Sequence, residues 1–266
     1  MQEVKRVWVV YNARRPEAKA QAQNVIRLCE REGLAVEAGS ELPLSGATPD
    51  LVITVGGDGT VLRTAAGLYP QEVPILPVHF GGVGFLSAVE ATQFEGALAA
   101  LRAGRAQVER RLRLLAQGPG FSGTALNEIA VVGPGQQRFV EVSLFAGGEA
   151  LGSFGGDGVL LATPTGSTAY ALAAGGPILV PHLPALLLVP LNPHKLGLRP
   201  LVLAGDGEVR VRAERQVLIL ADGDPIGAVS PGKELLVRRA PRDTLLVRLP
   251  QTPGLFSRLR EKLGWP

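Results

Sequence analysis

Cysteine is almost absent from this chain of 266 residues: Cys29 has no second thiol with which to form an internal disulfide. A single thiol also supplies too few ligands for a structural metal site. Long apolar runs are missing as well. The longest, residues 183–191, is interrupted by Pro184 and Pro190 and is too short to cross a bilayer. We therefore expect no disulfide framework, no zinc site built on cysteine and no transmembrane segment.

Excess charge and aromatic residues are also scarce. The 27 basic and 24 acidic residues leave a net charge of +3, and aromatic residues make up only 5% of the chain. A nucleic-acid-binding protein usually shows a denser basic patch with aromatic side chains. The first ten residues contain no apolar segment typical of a secretory signal. We expect a cytoplasmic protein that binds a phosphate-bearing small molecule, with neither nucleic acid nor membrane as partner.

The first third of the sequence alternates between strand and helix patterns. Apolar, β-branched runs predict strands at residues 7–11, 34–38, 51–55 and 75–79. Helical spacing of apolar residues predicts helices at residues 16–31, 61–68 and from Phe94 to Gly104. Cys29 falls on the apolar face of the first helix. Strands that alternate with helices indicate a Rossmann-like parallel sheet with right-handed crossovers.

The pattern changes near residue 105. Short strand-like segments separated by turn residues predict a mostly antiparallel β region: 108–115, 128–132, 139–145, 208–213, 216–220 and 234–239. A helical pattern returns at residues 255–263. We therefore predict an α/β domain at residues 1–104, a β-rich domain at 105–250 and a C-terminal helix at 251–266 that packs back on the first domain, an α+β fold overall.

The first motif with chemical content is Gly56-Gly57-Asp58-Gly59-Thr60, which directly follows a buried strand. Ligands of open parallel sheets bind at the carboxyl ends of strands. Glycines there let backbone N–H groups approach phosphate oxygens, and the next helix offers its positive N-terminus. Asp58 would repel phosphate, so it is a candidate general base or magnesium ligand. The alternative is a simple strand-ending turn, which Asp and Gly also favour.

Two further motifs carry polar side chains. Asn127-Glu128 precedes a strand and offers hydrogen-bonding groups for a ribose or a base edge, although an exposed loop pair is the plainer interpretation. The segment 156–177 runs from an apolar strand into the Thr165–Tyr170 turn and a short helix. Its hydroxyls can cap that helix or bind a nucleotide, with Tyr170 beside the base.

Several enzyme classes are not supported. The chain lacks the G-x-x-x-x-G-K-[ST] loop of P-loop NTPases and the G-x-G-x-x-G fingerprint of dehydrogenases. It also lacks the G-x-S-x-G of serine hydrolases. His182 and His194 are too scattered in the sequence for a zinc site and are interpreted as structural.

Taken in order, GGDGT, NE, DGxxxxTPTGSTAYxxxAGGPI and the closing FSRLREKLGW resemble the bacterial NAD kinase family over nearly the whole chain. GGDGT is also found in lipid kinases, whereas TPTGSTAY distinguishes the NAD kinases. The resemblance implies an α/β domain, a β domain and an NAD site between them. It also implies transfer of the γ-phosphoryl group of ATP to the adenosine 2′-hydroxyl of NAD, a divalent metal such as Mg²⁺, and a homodimer or homotetramer.

The resemblance assigns roles residue by residue. Asp58 is implied as the general base, and Arg138 and Asp157 as residues that reach the NAD or that of a neighbouring subunit. The implied phosphate-binding residues are Gly56, Gly57, Gly59 and Thr60. The implied NAD-binding residues are Asp58, Gly59, Arg63, Asn127, Glu128, Arg138, Asp157, Thr165, Thr168, Ala169, Tyr170, Ala171, Leu172 and Ala173.

Three positions depart from the family pattern: Gly155 stands where many relatives carry Arg, His79 where Asn is frequent, and Asp224 where Gln or Arg is common. Two rival functions stay open at this point. A lipid kinase would share GGDGT and need an apolar entrance or membrane-binding segment. A non-catalytic dinucleotide-binding regulator would keep the Thr165–Tyr170 pocket without needing Asp58.

Overall fold

The computed structural model describes residues 4–42, 47–82, 84–135 and 139–266. The α-helices are α1 (Pro16–Arg31), α2 (Asp58–Leu68), α3 (Phe94–Arg102), α4 (Tyr170–Ala173) and α5 (Leu255–Leu263). The strands are β1 (Arg6–Tyr11), β2 (Ala35–Gly39), β3 (Leu51–Val55), β4 (Ile75–His79), β5 (Val89–Glu90), β6 (Gln107–Arg111), β7 (Leu114–Gly118), β8 (Phe121–Ala125), β9 (Glu128–Val132), β10 (Val140–Ala146), β11 (Glu149–Gly156), β12 (Gly158–Ala162), β13 (Ala185–Leu191), β14 (Leu201–Ala204), β15 (Glu208–Ala213), β16 (Val217–Ala221), β17 (Asp224–Val229), β18 (Glu234–Arg239) and β19 (Thr244–Arg248).

The chain forms two compact units. The first comprises Met1–Arg110 and Thr244–Pro266, and the second comprises Arg111–Asp243. The last strand and helix thus belong to the same unit as the N-terminal third of the chain. Among the described residues, no helix is long and apolar enough to cross a membrane.

The first unit is built on a sheet with strand order β2-β1-β3-β4-β19-β6, to which β5 adds by pairing with β4. The pairs β1–β2, β1–β3, β3–β4, β4–β19 and β4–β5 are all parallel. Helices α1 and α3 bury apolar side chains such as Val25 and Phe94 in a core shared with β1, β3 and β4. This confirms the parallel α/β architecture predicted for the N-terminal part.

Cys29 lies in that core and is fully buried, as its place on the apolar face of α1 predicted. Burial, assisted by the nearby charge of Glu30, raises the pKa of its thiol to about 12. The thiol is therefore protonated at neutral pH and unreactive, because the thiolate is the nucleophilic form.

The second unit contains two six-stranded sheets with strand orders β11-β10-β15-β18-β7-β8 and β14-β13-β12-β9-β16-β17. The strand pairs that define their registers are antiparallel. One continuous apolar core takes side chains from both sheets, including Val142, Val159 and Val237. A further apolar cluster on the other face of the second sheet contains Leu160 and Leu187 of the sheet and Ala171 of α4. This confirms the antiparallel β architecture predicted for the C-terminal part.

One predicted strand is wrong. Residues 108–115 were expected to form a single strand, but the structure divides them between β6 and β7, which belong to different sheets. Residues 112 and 113 separate the two strands, and the side chain of Arg113 is fully buried. A continuous run of apolar and basic residues therefore conceals the point where the chain passes between the units.

Candidate active site

The glycine-rich segment of the first unit lies where β3 ends and α2 begins. Gly57 is the N-cap residue of α2, and the N-terminus has no side-chain cap. The first backbone N–H groups of a helix have no partner within the helix and attract anions. Gly57 and Gly59 are exposed, so a ligand can approach these groups. The segment is therefore suited to hold a phosphate.

Two neighbours explain the residue choice in this segment. A Cβ at Gly56 would lie 2.3 Å from the hydroxyl oxygen of Thr60, which is too close for any residue but glycine. The guanidinium Nη1 of Arg63 lies 3.7 Å from the position that a Cβ on Gly59 would occupy. Arg63 is exposed. It therefore places a positive charge over the first turn of α2, beside the amides that would receive a phosphate.

Asp58 is the first residue of α2, and the loop that follows β4 holds its carboxylate. Phe85 N–H donates to Oδ2 at 2.8 Å, and Leu86 N–H donates to Oδ1 at 3.1 Å. Gly84 lies against the same carboxylate, because a Cβ there would come within 1.9 Å of Oδ1. The loop is itself braced by a bond of 2.9 Å from Gly84 N–H to the hydroxyl of Ser87. The orientation of Asp58 is therefore set before any ligand binds, which is what a positioned base requires.

His79, one of the three departures from the family pattern, is the last residue of β4. Its side chain is buried, and Nδ1 has no hydrogen-bond partner among the described residues. Its strand neighbour in β5 is Glu90. The structure thus places the imidazole at the same end of the sheet as the glycine-rich segment, since β3 and β4 are parallel.

In the second unit, the structure brings Asn127-Glu128 and the 163–166 turn into contact. Thr163 N–H donates to Asn127 O at 2.8 Å, and its hydroxyl donates to Leu126 O at 2.6 Å. The same hydroxyl accepts from Gly166 N–H at 3.0 Å. A Cβ on Gly166 would lie 2.1 Å from Asn127 O, so only glycine fits there. Two motifs separated by 36 residues are thus joined by hydrogen bonds into one cluster.

Asp222 fixes the backbone of the same segment. Its carboxylate accepts N–H bonds from Leu126 at 2.8 Å, Asn127 at 2.7 Å and Glu128 at 3.2 Å. The residue has φ +50°, in the left-handed region that Asp and Asn tolerate better than most residues. Burial raises its pKa, against the opposing effects of the N–H bonds and of Arg113.

Glu128 is buried, and its Oε2 has no hydrogen-bond partner within the described part of the chain. Burial, and secondly the charge of Asp222, raises the pKa of this carboxyl to about 7. A buried polar atom without a partner is costly. The arrangement is therefore suited to a ligand hydroxyl, which would complete the hydrogen bonding of Glu128.

The hydroxyls of the Thr165–Tyr170 turn do not cap a helix, so that interpretation is wrong: neither α4 nor the preceding 3₁₀ turn has a side-chain cap. Ser167 donates to Pro164 O at 2.7 Å and accepts from Leu179 N–H, and Thr168 donates to Thr165 O. Arg111 Nη1 donates to the Thr165 hydroxyl at 3.3 Å. The tightly bonded turn leaves the Tyr170 ring 47% exposed and available for stacking.

The other residues predicted to bind the dinucleotide differ in exposure. Ala173 is exposed, Ala169 and Leu172 are half-buried, and Ala171 is fully buried in the apolar cluster beneath α4. Arg138 lies outside the residues that the structure describes. The contacts of all these residues with a ligand remain predictions.

Asp157 is not brought together with that turn. It precedes β12, whereas Thr163 follows the same strand, and six extended residues span about 20 Å. Asn192 Nδ2 donates to Asp157 Oδ2 at 2.7 Å. At neighbouring Gly155, a Cβ would lie 2.6 Å from the Phe139 ring, which also packs against the His194 ring in a tilted arrangement with the centroids 4.9 Å apart. The ring therefore occupies the space into which an arginine at position 155 would project.

Two sets of functional residues escaped the sequence analysis. Asp222 is not among the residues predicted from the sequence, and Thr163 is included only within a longer motif. The loop of residues 84–87 shows no chemical side chain apart from Ser87, because it acts through backbone N–H groups. Gly81, Gly82 and Gly84, which closely follow the buried strand β4, are the one sequence signal that could have marked it.

A helix N-terminus at the end of a parallel strand, with one carboxylate fixed among glycines, is an arrangement suited to an enzyme that transfers phosphoryl groups. Comparisons with known proteins give the particular family. Residues 12–106 match the model of the ATP-NAD kinase N-terminal domain, and residues 126–249 match that of the ATP-NAD kinase C-terminal domain. The chain belongs to the NAD kinase family, and it is a phosphotransferase with an alcohol group as acceptor.

Individual relatives agree with this assignment. The chain is similar to an NAD kinase of Gemmatimonas aurantiaca, at 41% identity over 84% of this chain and 80% of that protein. It is 30% identical to an NAD kinase of Treponema denticola over 98% and 97% of the two chains. The crystal structure of an NAD kinase from Archaeoglobus fulgidus in complex with ATP matches with a TM-score of 0.81, 29% identity and 97% coverage of each chain.

Proposed function

We propose that this protein transfers the γ-phosphoryl group of ATP to the adenosine 2′-hydroxyl of NAD, which yields NADP. Membership of the NAD kinase family supports the reaction. The single structural observation that carries the proposal is the Asp58 carboxylate, which the amides of Phe85 and Leu86 hold at the N-terminus of α2. Asp58 takes the proton of the 2′-hydroxyl as that oxygen attacks the γ-phosphorus, and ADP leaves.

In this proposal the first unit handles the phosphates. The N–H groups of Gly57 and Gly59 donate to phosphate oxygens, and the exposed guanidinium of Arg63 adds a positive charge. The other two predicted phosphate-binding residues, Gly56 and Thr60, shape the segment, because their N–H groups already donate to Val78 O and Gly57 O. Phosphoryl transfer needs little covalent work from the protein, so positioning and charge stabilisation supply most of the rate.

The second unit recognises the dinucleotide. Asn127 and Glu128 bind hydroxyl and base groups of the adenosine, and Glu128 Oε2 is the acceptor that such a ligand would satisfy. Thr165, Thr168 and the 169–173 segment line the adenine pocket, with the exposed Tyr170 ring against the base. We propose this set by family match, together with Arg138 and Asp157.

The residues of the first unit fit a magnesium ion that is bound together with the phosphates of ATP. Within the ranges that the structure describes, no group of three or more His, Cys, Asp and Glu side chains could hold a metal ion. Magnesium is usually bound by one or two carboxylates together with substrate phosphates, and Asp58 is the carboxylate at the phosphate-binding segment. When bound with ATP, the ion would neutralise charge on the phosphates.

We also propose a cytoplasmic homodimer or homotetramer. Asp157 lies about 20 Å along β12 from Thr163, so we assign its dinucleotide contact to NAD bound by a neighbouring copy. Light scattering of the purified protein tests this assembly: a dimer or tetramer is expected, and a stable, active monomer would contradict it. In the function that we propose, the partners are NAD, ATP and further copies of this chain, and neither nucleic acid nor a membrane is needed.

The reaction is tested by incubating the purified protein with ATP, MgCl₂ and NAD and coupling NADP formation to an NADP-specific dehydrogenase. We expect NADP to accumulate with saturation in both substrates. A parallel incubation with diacylglycerol in place of NAD tests the lipid-kinase alternative. Binding of NAD without any NADP formation would instead identify a non-catalytic regulator.

A further inference from the structure

The C-terminal helix α5 carries a buried arginine whose charge is satisfied by a loop far away in the sequence. Arg258 is 2% exposed. Its Nη1 donates to the carbonyl oxygen of Phe85, and its Nη2 donates to that of Ser87. A buried guanidinium needs such partners, because an isolated buried charge is strongly unfavourable. All three residues belong to the first unit.

The loop bound by Arg258 is the one that holds Asp58. The carbonyl of Phe85 and the N–H of Leu86 belong to a single peptide group. This group accepts a bond from Arg258 on one side and donates to Asp58 Oδ1 at 3.1 Å on the other. Phe85 N–H, one residue earlier, donates to Asp58 Oδ2 at 2.8 Å. A cation at one end of such a chain polarises the peptide group and strengthens the bond at its other end.

We propose that Arg258 is a positioning residue for phosphoryl transfer, which holds the loop of residues 85–87 so that its amides orient the Asp58 carboxylate. The inference rests on the proposed role of Asp58 as general base. It assigns a function to the C-terminal helix, which also contacts the loop through Lys262, whose Nζ lies 5.6 Å from the centroid of the Phe85 ring. Arg258 acts through the loop and touches neither substrate.

An arginine suits this position better than a lysine. The two carbonyls that it binds belong to residues 85 and 87. One side chain must therefore present two N–H donors that point in different directions. A guanidinium presents several N–H donors in a fixed fork, whereas an ammonium is a point charge on a flexible stem. We therefore expect Arg258→Lys to retain only part of the activity, between that of the wild type and that of Arg258→Gln.

The main test compares Arg258→Gln with Arg260→Gln. Arg260 lies on the same helix and is exposed, and among the described residues its side chain makes a single hydrogen bond, of 3.4 Å to the Ser257 hydroxyl. We expect Arg258→Gln to lower kcat roughly 10- to 100-fold, since a small misplacement of a reacting group has effects of that size. The KM values for NAD and ATP should stay within about threefold, and Arg260→Gln should match the wild type.

Rescue by an added guanidinium separates positioning from general damage. We expect ethylguanidinium to restore part of the kcat of Arg258→Ala and to leave that of Asp58→Asn unchanged. If Arg258→Gln does not fold, Arg258→Lys carries the kinetic test. A normal kcat in a folded Arg258 variant, or a loss of kcat matched by equal rises in both KM values, would overturn the proposal.

The double variant Arg258→Gln/Asp58→Asn distinguishes this inference from the proposed function. If Arg258 acts through Asp58, removing it from the Asp58→Asn background should lower kcat less than about twofold further. A full, independent loss would show that Arg258 acts elsewhere. A normal kcat for Asp58→Asn alone would instead refute the role of Asp58, and absence of NADP formation by the wild type would refute the reaction.

Discussion

In the first unit, the proposed catalytic carboxylate is held by a backbone segment, whereas in the second unit a carboxylate holds the backbone segment that carries the binding side chains. Asp58 receives two N–H bonds from residues 85 and 86. Asp222 receives three from residues 126–128, and Asn127 and Glu128 project from that segment. In the function that we propose, the same bond, a backbone amide to an aspartate, serves chemistry in one unit and recognition in the other.

This comparison implies different kinetic consequences. A change to the loop of residues 84–87 should reach the reacting atoms and alter kcat. A change at Asp222 should alter affinity for the dinucleotide and leave the chemical step nearly intact, because interactions made equally in ground and transition states change KM alone. The following variants test that division.

The largest effect is expected for Asp58→Asn. Its amide cannot accept the proton of the 2′-hydroxyl, so kcat should fall by about two to four orders of magnitude. The NH₂ group of the asparagine would also face one of the two backbone N–H donors and could not accept its hydrogen bond. The free energy of unfolding should therefore fall by roughly 1–3 kcal/mol. Both are measured on the purified variant, by NADP formation and by urea unfolding. Recovery of kcat at raised MgCl₂ would assign Asp58 to metal binding instead.

Gly84→Ala should displace Asp58 without removing it. The new Cβ would lie 1.9 Å from Oδ1, so the carboxylate or the loop must shift. We expect kcat to fall about 100-fold, the effect of a displacement near 1 Å, with little change in the KM for NAD. Gly82→Ala is the matched control, because its Cβ would meet no atom within 4 Å. Equal kcat values for the two variants would contradict the proposed orientation of Asp58.

Glu128→Gln should change how stability depends on pH. Folding raises the pKa of Glu128 from 4.5 to about 7, so the folded state favours the protonated carboxyl. The contribution of this group to the free energy of unfolding is therefore fully present below pH 4.5 and is lost as the pH rises through 7. One pKa unit corresponds to about 1.4 kcal/mol, so the difference between 4.5 and about 7 corresponds to a loss of at most about 3.5 kcal/mol in the free energy of unfolding. Urea unfolding at pH 5 and pH 8 measures it. Between pH 5 and pH 8, the free energy of unfolding should fall less in the Gln variant than in the wild type. An equal fall in the two proteins would contradict the raised pKa of the buried Glu128 carboxyl.

Asp222→Asn should weaken dinucleotide binding. Asn tolerates the left-handed backbone at this position but offers one acceptor oxygen for three N–H donors. We expect the KM for NAD to rise roughly tenfold, equivalent to about 1.4 kcal/mol, while kcat stays within threefold. Asp206→Asn is the control, since Asp206 also precedes a glycine but is exposed. A loss confined to kcat would reverse the assignment of the two units.

Secondary structure in the first unit follows closely from the sequence. Helix α1 and strands β3 and β4 lie at the predicted residues. Apolar residues recur along one face of the helix and run continuously through each strand, and turn residues bound all three segments. Strand β13 was missed, since Pro184 and Pro190 interrupt its apolar run. Pro190 is tolerated because it lies beyond Leu188, the last residue paired with β14, so no ladder bond to that strand is lost.

The sequence predicts the part of the candidate site whose proposed function lies in side chains, and it does not predict the part whose proposed function lies in backbone groups. Asp58, Asn127 and Glu128 stand out because their side chains differ from their apolar surroundings. Residues 84–86 act through N–H groups, which every non-proline residue has, so no residue type reveals them. Asp222 and Arg258 act on segments more than 90 residues away in the sequence. Such distant pairings depend on the tertiary fold and leave no local pattern.

The central claim is that chemistry depends on Asp58 and recognition of NAD does not. Isothermal titration of NAD into folded Asp58→Asn, on the same preparation used for kcat, tests it most directly. The account predicts a dissociation constant within a few-fold of the wild-type value, alongside a kcat lowered at least 100-fold. Loss of NAD binding in parallel with kcat, or near-normal turnover by the folded variant, would contradict it.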